Sequence, residues 1–164
     1  MVRQGRVLVD GKPAPAADMK VDPQTAVILL DGEPLGYEKF TYVMLHKPAG
    51  VLTATEDRRQ ETVLDLLPPE LRRRALSPVG RLDKDTEGLL LLTNDGQLAH
   101  RLLSPKSHVD KVYYARVDGA LEPGDIAAFA AGMTLGDGLE CLPAGLEILA
   151  AGETSECLVT LREG

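Results

Sequence analysis

The chain has 164 residues, of which 44% are hydrophobic and 26% charged, and its formal net charge is −7. That composition supports a buried core and excludes an intrinsically disordered segment, and the length suits one medium domain or two small ones. The acidic balance argues against a protein that grips nucleic acid over its whole surface, while leaving room for a local basic groove. Aromatic residues make up only 4% with no Trp, so the core is expected to be aliphatic. No apolar run approaches the roughly 18 residues needed to cross a bilayer. The opening "MVRQGRVLVDGK" lacks the apolar segment of a secretory signal, so a cytoplasmic location is expected.

In chain order, "GRVLVDGKPA" alternates Val7 and Val9 into Asp10-Gly11, a strong hairpin signal, and "TAVILLDGEPL" repeats the device at Asp31-Gly32. A Pro-rich connection separates them. So small a β unit buries little alone and reads as an accessory module. "TYVMLHKPAGVLTAT" then predicts a strand, a Lys-Pro-Ala-Gly turn and a second strand. "ETVLDLLPPELRRRAL", with Val63, Leu64, Leu66 and Leu67 before the Pro68-Pro69 break, predicts a short helix and a loop. "LSPVGRLD" and "GLLLLTND" predict strands, the second buried on both faces because its four leucines show no polar alternation.

Further on, "NDGQLAHRLLSPK" predicts a helix capped by Asn94 or Asp95, with Leu98, Leu102 and Leu103 on one face and Pro105 as its stop. "KVYYARV" predicts a strand, "EPGDIAAFAAGM" a helix ended by Gly132, and "GLEILAAGETSECLVTLREG" a hairpin. Strands dominate and the connections are too short for regular βαβ crossovers. The expected class is α+β with a mainly antiparallel mixed sheet and short helices.

Most chemistry-bearing residues follow no motif. Cys141 and Cys157 have neither zinc nor redox spacing and read as buried thiols. His46, His100 and His108 form no metal-binding pattern, so no dedicated metal site is expected. Arg58 with Arg59, Arg72 to Arg74, and Arg101 with Lys106 and Lys111 form basic clusters that read, on charge alone, as solvated side chains.

One stretch stands apart. "GRLDKDTEGLLLLTNDG", Gly80 to Gly96, places Asp83, Asp85 and Glu87 directly before the leucine run. A calcium loop fits its opening, with oxygens at the first, third and fifth positions and Gly88 at the sixth, but fails at the twelfth, where Asn94 stands in place of a bidentate Glu. A magnesium-dependent phosphoryl-transfer or hydrolytic site lacks a phosphate-cradling loop and a second ligand cluster. A turn of solvated acids accounts for Asp85 and Glu87. Asp83, following Arg81-Leu82 at the expected end of a strand, sits where a carboxylate is aimed, and an arginine on the same strand face would keep it ionised.

This stretch resembles the signature of the RsuA-like family, the pseudouridine synthases of the ribosomal small-subunit type. That signature runs Gly-Arg-Leu-Asp, a Thr or Ser and a Gly, then an apolar strand ending in Thr-Asn/Asp-Asp-Gly. "MLHKPAGVLTAT", "TVLDLLP", "HRLLSPK" and "KVYYARV" fall in the family's order and spacing, so the resemblance covers Tyr42 to Gly164. It implies a catalytic domain at residues 39–164, preceded at residues 1–38 by the strand part of a small RNA-binding module. It also implies isomerisation of a ribosomal RNA uridine, no cofactor, ribosomal RNA as partner and a monomeric enzyme. Asp83 is by this resemblance the catalytic carboxylate, as nucleophile or base.

By the same resemblance Tyr113 stacks on the uracil; strand alternation puts Tyr114 on the opposite face, and one of the two is expected to be a core residue. Arg81 holds the flipped nucleotide or forms a structural salt bridge, and Lys47 contacts RNA phosphate or is an ordinary turn lysine. Against the family's pattern the chain begins near the module's strands and ends at "LREG", short of a basic continuation. Its last strand is then expected to have an unpaired edge, and the isolated chain to be weakly active or inactive. The alternative is an RNA-binding module with vestigial catalysis.

Overall fold

A computed structural model describes residues 1–36, 38–104, 107 and 109–162. Pro105, Lys106, His108 and the end of "LREG", which carry some of the expectations above, lie outside the described residues. The chain divides into two compact units, Met1–Thr41 and Tyr42–Gly164.

The first unit opens with a single 3-10 turn, Val2–Gln4. Strands β1 (Val7–Val9), β2 (Lys12–Pro13), β3 (Ile28–Leu30) and β4 (Glu33–Pro34) follow, forming an antiparallel sheet in the order β2-β1-β3-β4. Both Asp-Gly pairs make the expected tight turns. Asp10 and Gly11 have φ of 50° and 76°, and Asp31 and Gly32 have 54° and 87°. Two successive positive φ values give a turn whose twist matches the flanking strands, and Asp tolerates that region better than most residues. The Asp10 carboxylate also accepts the Val27 backbone N–H at 2.9 Å, tying the first turn to the entry of β3.

In the second unit, β5 (Tyr42–Lys47) is followed by the short helix α1 (Pro69–Arg72), β6 (Ser77–Val79) and β7 (Gly88–Thr93). These strands form an antiparallel sheet in the order β5-β7-β6. Register pairs Val43 with Leu92, Leu45 with Leu90 and Lys47 with Gly88. Directly opposed residues share a face, so Val43, Leu45, Lys47, Leu90 and Leu92 point the same way. Onto that face pack Val51, Val63, Leu64, Leu67 and Leu76, with Leu71 of α1 and Leu82 at the margin. Arg72 closes this layer, its guanidinium donating to the carbonyls of Leu67 (2.7 Å) and Asp65.

Three expectations fail here. The leucine strand is buried on one face only: Leu92 is fully buried, whereas Leu89 is 71% exposed and Met44, which shares that outer face from β5, is 79% exposed. An antiparallel sheet needs one packed face, and the layer of residues 51–76 supplies only one. The second strand after the Lys-Pro-Ala-Gly turn is absent; residue 52 makes an isolated bridge to Thr62 instead. The short helix begins at the second proline of the pair rather than before the break, with Pro69 as its first residue, where a missing N–H costs nothing.

Helix α2 (Gly96–Leu103) is capped by Asp95, whose carboxylate accepts the N–H groups of Gln97 at 3.1 Å and Leu98 at 3.0 Å. Then come β8 (Lys111–Asp118), α3 (Pro123–Ala131), a two-stranded ribbon of β9 (Met133–Thr134) and β10 (Glu140–Cys141), and the hairpin β11 (Gly145–Ala150) with β12 (Thr154–Leu161). The ribbon was not legible from its sequence. Cys157 is buried as expected, but Cys141 on the ribbon is only half-buried. The second sheet has the order β11-β12-β8. The last strand is therefore paired on both sides, with Leu161 opposite Lys111 and Thr160 opposite Gly145, which corrects the expected free edge. Fully buried Ser155 locks this sheet to the next turn, donating to the Gly119 carbonyl at 2.7 Å and accepting the Leu121 N–H at 3.0 Å.

Among the described residues no helix is long and apolar enough to cross a membrane. The fold is α+β with antiparallel sheets and short helices, as the sequence led us to expect.

Candidate active site

Strand β6 ends at Val79, and Gly80, with φ of 89°, turns the chain out of the sheet. Residues 81–87 form the loop that re-enters the sheet as β7. Asp83 is thus on a loop, not at a strand end, and the shared strand face expected for Arg81 and Asp83 does not exist. A tight turn forms at the acid itself, where the Thr86 N–H donates to the Asp83 carbonyl at 3.1 Å. Asp83, Lys84, Asp85 and Glu87 are all exposed.

What brings Asp83 and Arg81 together is a cavity of about 260 Å³ lined by Arg81, Leu82, Asp83, Thr86, Tyr113 and Leu161. Two sheets contribute to it: the β6–β7 loop supplies the acid, and neighbouring strands β8 and β12 supply Tyr113 and Leu161, which lie near each other across the β8–β12 register. Alternation on β8 settles the two tyrosines. Tyr113 is half-buried and faces the cavity, while Tyr114 is 56% exposed on the other face. Neither is a core residue. Partial desolvation, reinforced by a hydrogen bond with Glu156, pushes the Tyr114 hydroxyl above its usual pKa. Among the described residues no ion pair joins Arg81 to Asp83.

The expectation for Lys47 needs correction. Because it shares the inward face of β5 with Val43 and Leu45, it is 0% exposed and cannot reach a phosphate. Its ammonium donates to three backbone carbonyls, those of Pro48 at 3.1 Å, Lys84 at 2.9 Å and Thr86 at 2.9 Å. An ammonium has three donors, and all three are used. Two of the acceptors belong to the loop that carries Asp83. The period-two run Val43, Leu45, Lys47 was the signal that could have revealed this.

Sequence reasoning also missed Thr53. Its hydroxyl donates to the Leu82 carbonyl at 2.7 Å and accepts the Leu82 N–H at 3.2 Å. Nearby, Lys84 donates to the Gln60 side chain at 2.9 Å, which ties residues 53–60 and their exposed Arg58 and Arg59 to the same loop. Among the described residues, no three acids, histidines or cysteines are grouped as a metal set would be.

The fold and site define a class: an α+β protein of antiparallel sheets that presents one carboxylate beside a tyrosine in an open cavity. The sequence profile of RNA pseudouridylate synthases matches residues 41–158. A Bacillus subtilis protein named as an uncharacterized RNA pseudouridine synthase, YtzG, is 52% identical over 90% of this chain and 62% of its own length. The ribosomal small subunit pseudouridine synthase A of Vibrio parahaemolyticus is 39% identical, covering 100% of this chain and 70% of its own. A solved structure described as a pseudouridylate synthase superposes with a TM-score of 0.68 at 33% identity, over 99% of this chain and 69% of that one. The chain belongs to the RNA pseudouridylate synthase family. It spans a little under two thirds of the length of YtzG.

Proposed function

We propose that this chain isomerises a uridine of small-subunit ribosomal RNA to pseudouridine, with Asp83 as the catalytic carboxylate. The observation that carries the reading is the convergence of Asp83 and Tyr113, from separate elements, on one open cavity. The Vibrio relative's name supports the choice of RNA.

The reaction breaks the C1′–N1 bond of the nucleoside, turns the detached uracil and forms C1′–C5. The proton on C5 is lost and N1 regains one, so atoms and electrons balance without an oxidant or reductant. Asp83 works on the ribose, either attacking C1′ or removing an adjacent proton. Either task is open to a carboxylate held against the sugar. A stacked base must first leave the helix, at a cost of a few kcal/mol. Stacking on the Tyr113 ring offsets part of that, at roughly 1–3 kcal/mol per base, and tolerates rotation of the uracil in its plane. The cavity lies below the roughly 300–1,000 Å³ of sites for drug-sized ligands, which suits a single base. Arg81, exposed at its rim, holds the backbone of the extruded nucleotide. Residues 1–38 act as the strand part of a small RNA-binding module, in a cytoplasmic monomer.

The test maps pseudouridine in ribosomal RNA from cells with and without the gene that encodes this chain. One small-subunit uridine is expected to remain unmodified in the deletion. An unchanged map overturns the activity, and a change confined to large-subunit RNA overturns the target.

A further inference from the structure

Asp83 lies in a loop, beyond the last strand residue, Val79, and before the next, Gly88, so no sheet ladder holds it. Side chains hold its neighbours instead. Before it, the Thr53 hydroxyl takes both backbone groups of Leu82, donating at 2.7 Å and accepting at 3.2 Å. After it, the buried Lys47 ammonium takes the carbonyls of Lys84 and Thr86, each at 2.9 Å. The Gly50 N–H adds a second hold on the Lys84 carbonyl at 2.8 Å.

The two anchors are themselves fixed. Lys47 belongs to β5 and faces the core. Thr53 follows Leu52, whose N–H donates to the Glu61 carbonyl at 3.0 Å and whose carbonyl accepts the Val63 N–H at 2.9 Å. Thr62 and Val63 are both fully buried. The segment expected to be a strand is thus a short bracket, bonded on one side to the core and on the other to the residue before the acid.

We propose that Thr53, together with Lys47, is a positioning residue that aims the Asp83 carboxylate into the cavity. The proposal rests on the reading of Asp83 as catalytic. A hydroxyl that both donates to and accepts from one residue fixes that peptide's orientation as well as its place, and the next residue is the acid. Removing the hydroxyl leaves the carboxylate chemically intact but free to wander. Misplacement of a reacting group by about 1 Å costs on the order of 10²-fold in rate.

The experiment uses the purified product of the gene that encodes this chain, in excess over an unmodified transcript of small-subunit ribosomal RNA, so that a single turnover is read. Thr53→Val is isosteric and lacks the hydroxyl; Thr53→Ser restores it. Thr53→Val is expected to form pseudouridine about 10²-fold more slowly, with RNA affinity unchanged in filter binding, and Thr53→Ser to recover most of the rate. Should Thr53→Val fail to fold by circular dichroism, Thr53→Ala is read in the same way. Wild-type speed without the hydroxyl, a Ser variant as slow as Val, or a loss found entirely in affinity each overturns the proposal. No product from the wild type, or normal product from Asp83→Asn, instead overturns the catalytic reading on which it depends.

Discussion

Lys47 and Asp83 exchange the roles that their exposure alone would suggest for a lysine and an acid near a core. The cation is inside, saturated by three carbonyls, and the anion is outside, in an open cavity. A buried ammonium is tolerated because every donor is satisfied; an unsatisfied one would cost several kcal/mol. A second acid shows what a structural carboxylate looks like in this molecule. Asp65 accepts both the backbone N–H and the hydroxyl of Thr62, each at 2.9 Å, and those bonds hold its carboxyl below the usual range. A carboxyl depressed in the folded state is protonated at lower pH than in the unfolded chain, whose reference is about 3.9. Its contribution is therefore complete above that value and is lost as pH falls through the lower folded one. Asp65→Asn should lower the melting temperature at neutral pH and flatten its decline into acid. Thermal unfolding followed from neutral pH downward checks this, and an acid limb as steep as the wild type's contradicts it.

At the scale of elements, legibility followed local chemistry. The two Asp-Gly hairpins, the Asp95 cap and the Gly132 end of α3 each depend on residues within a few positions, and each formed where expected. What depended on distant packing was misread. The leucine run of β7 looked buried on both faces because no polar residue marks an outer side, yet only residues 51–76 cover it, and they cover one side. The segment after Gly50 had strand composition but no partner along its length, so it became a bracket with a single bridge. The Asp83 loop was read as a strand end because nothing local shows that Gly80 turns the chain away. The family signature located the acid, and the Val43, Leu45, Lys47 alternation carried the lysine's fate, unread. Denaturant titration separates the two faces of β7. Leu92→Ala should cost about 2–5 kcal/mol as a core truncation, and Leu89→Ala no more than about 0.5 kcal/mol as a surface change. Equal losses would mean that the outer face is packed as well.

For the molecule as a whole, an acidic chain with a net charge of −7 belongs to a family named for acting on RNA. On the proposed reading, general charge attraction from these residues does not account for RNA binding, and recognition is local, at the cavity and the exposed Arg81 at its rim. The two units divide the chain at Thr41, three residues beyond the boundary expected from sequence, and the cavity lies wholly within the second. Everything functional in this account converges on one carboxylate. The most direct test takes the product of the gene that encodes this chain and compares wild type with Asp83→Asn on unmodified small-subunit ribosomal RNA, reading pseudouridine after a single turnover and RNA affinity in parallel. The account predicts that the substitution abolishes product and leaves affinity intact. Product formed at an undiminished rate by Asp83→Asn would contradict it.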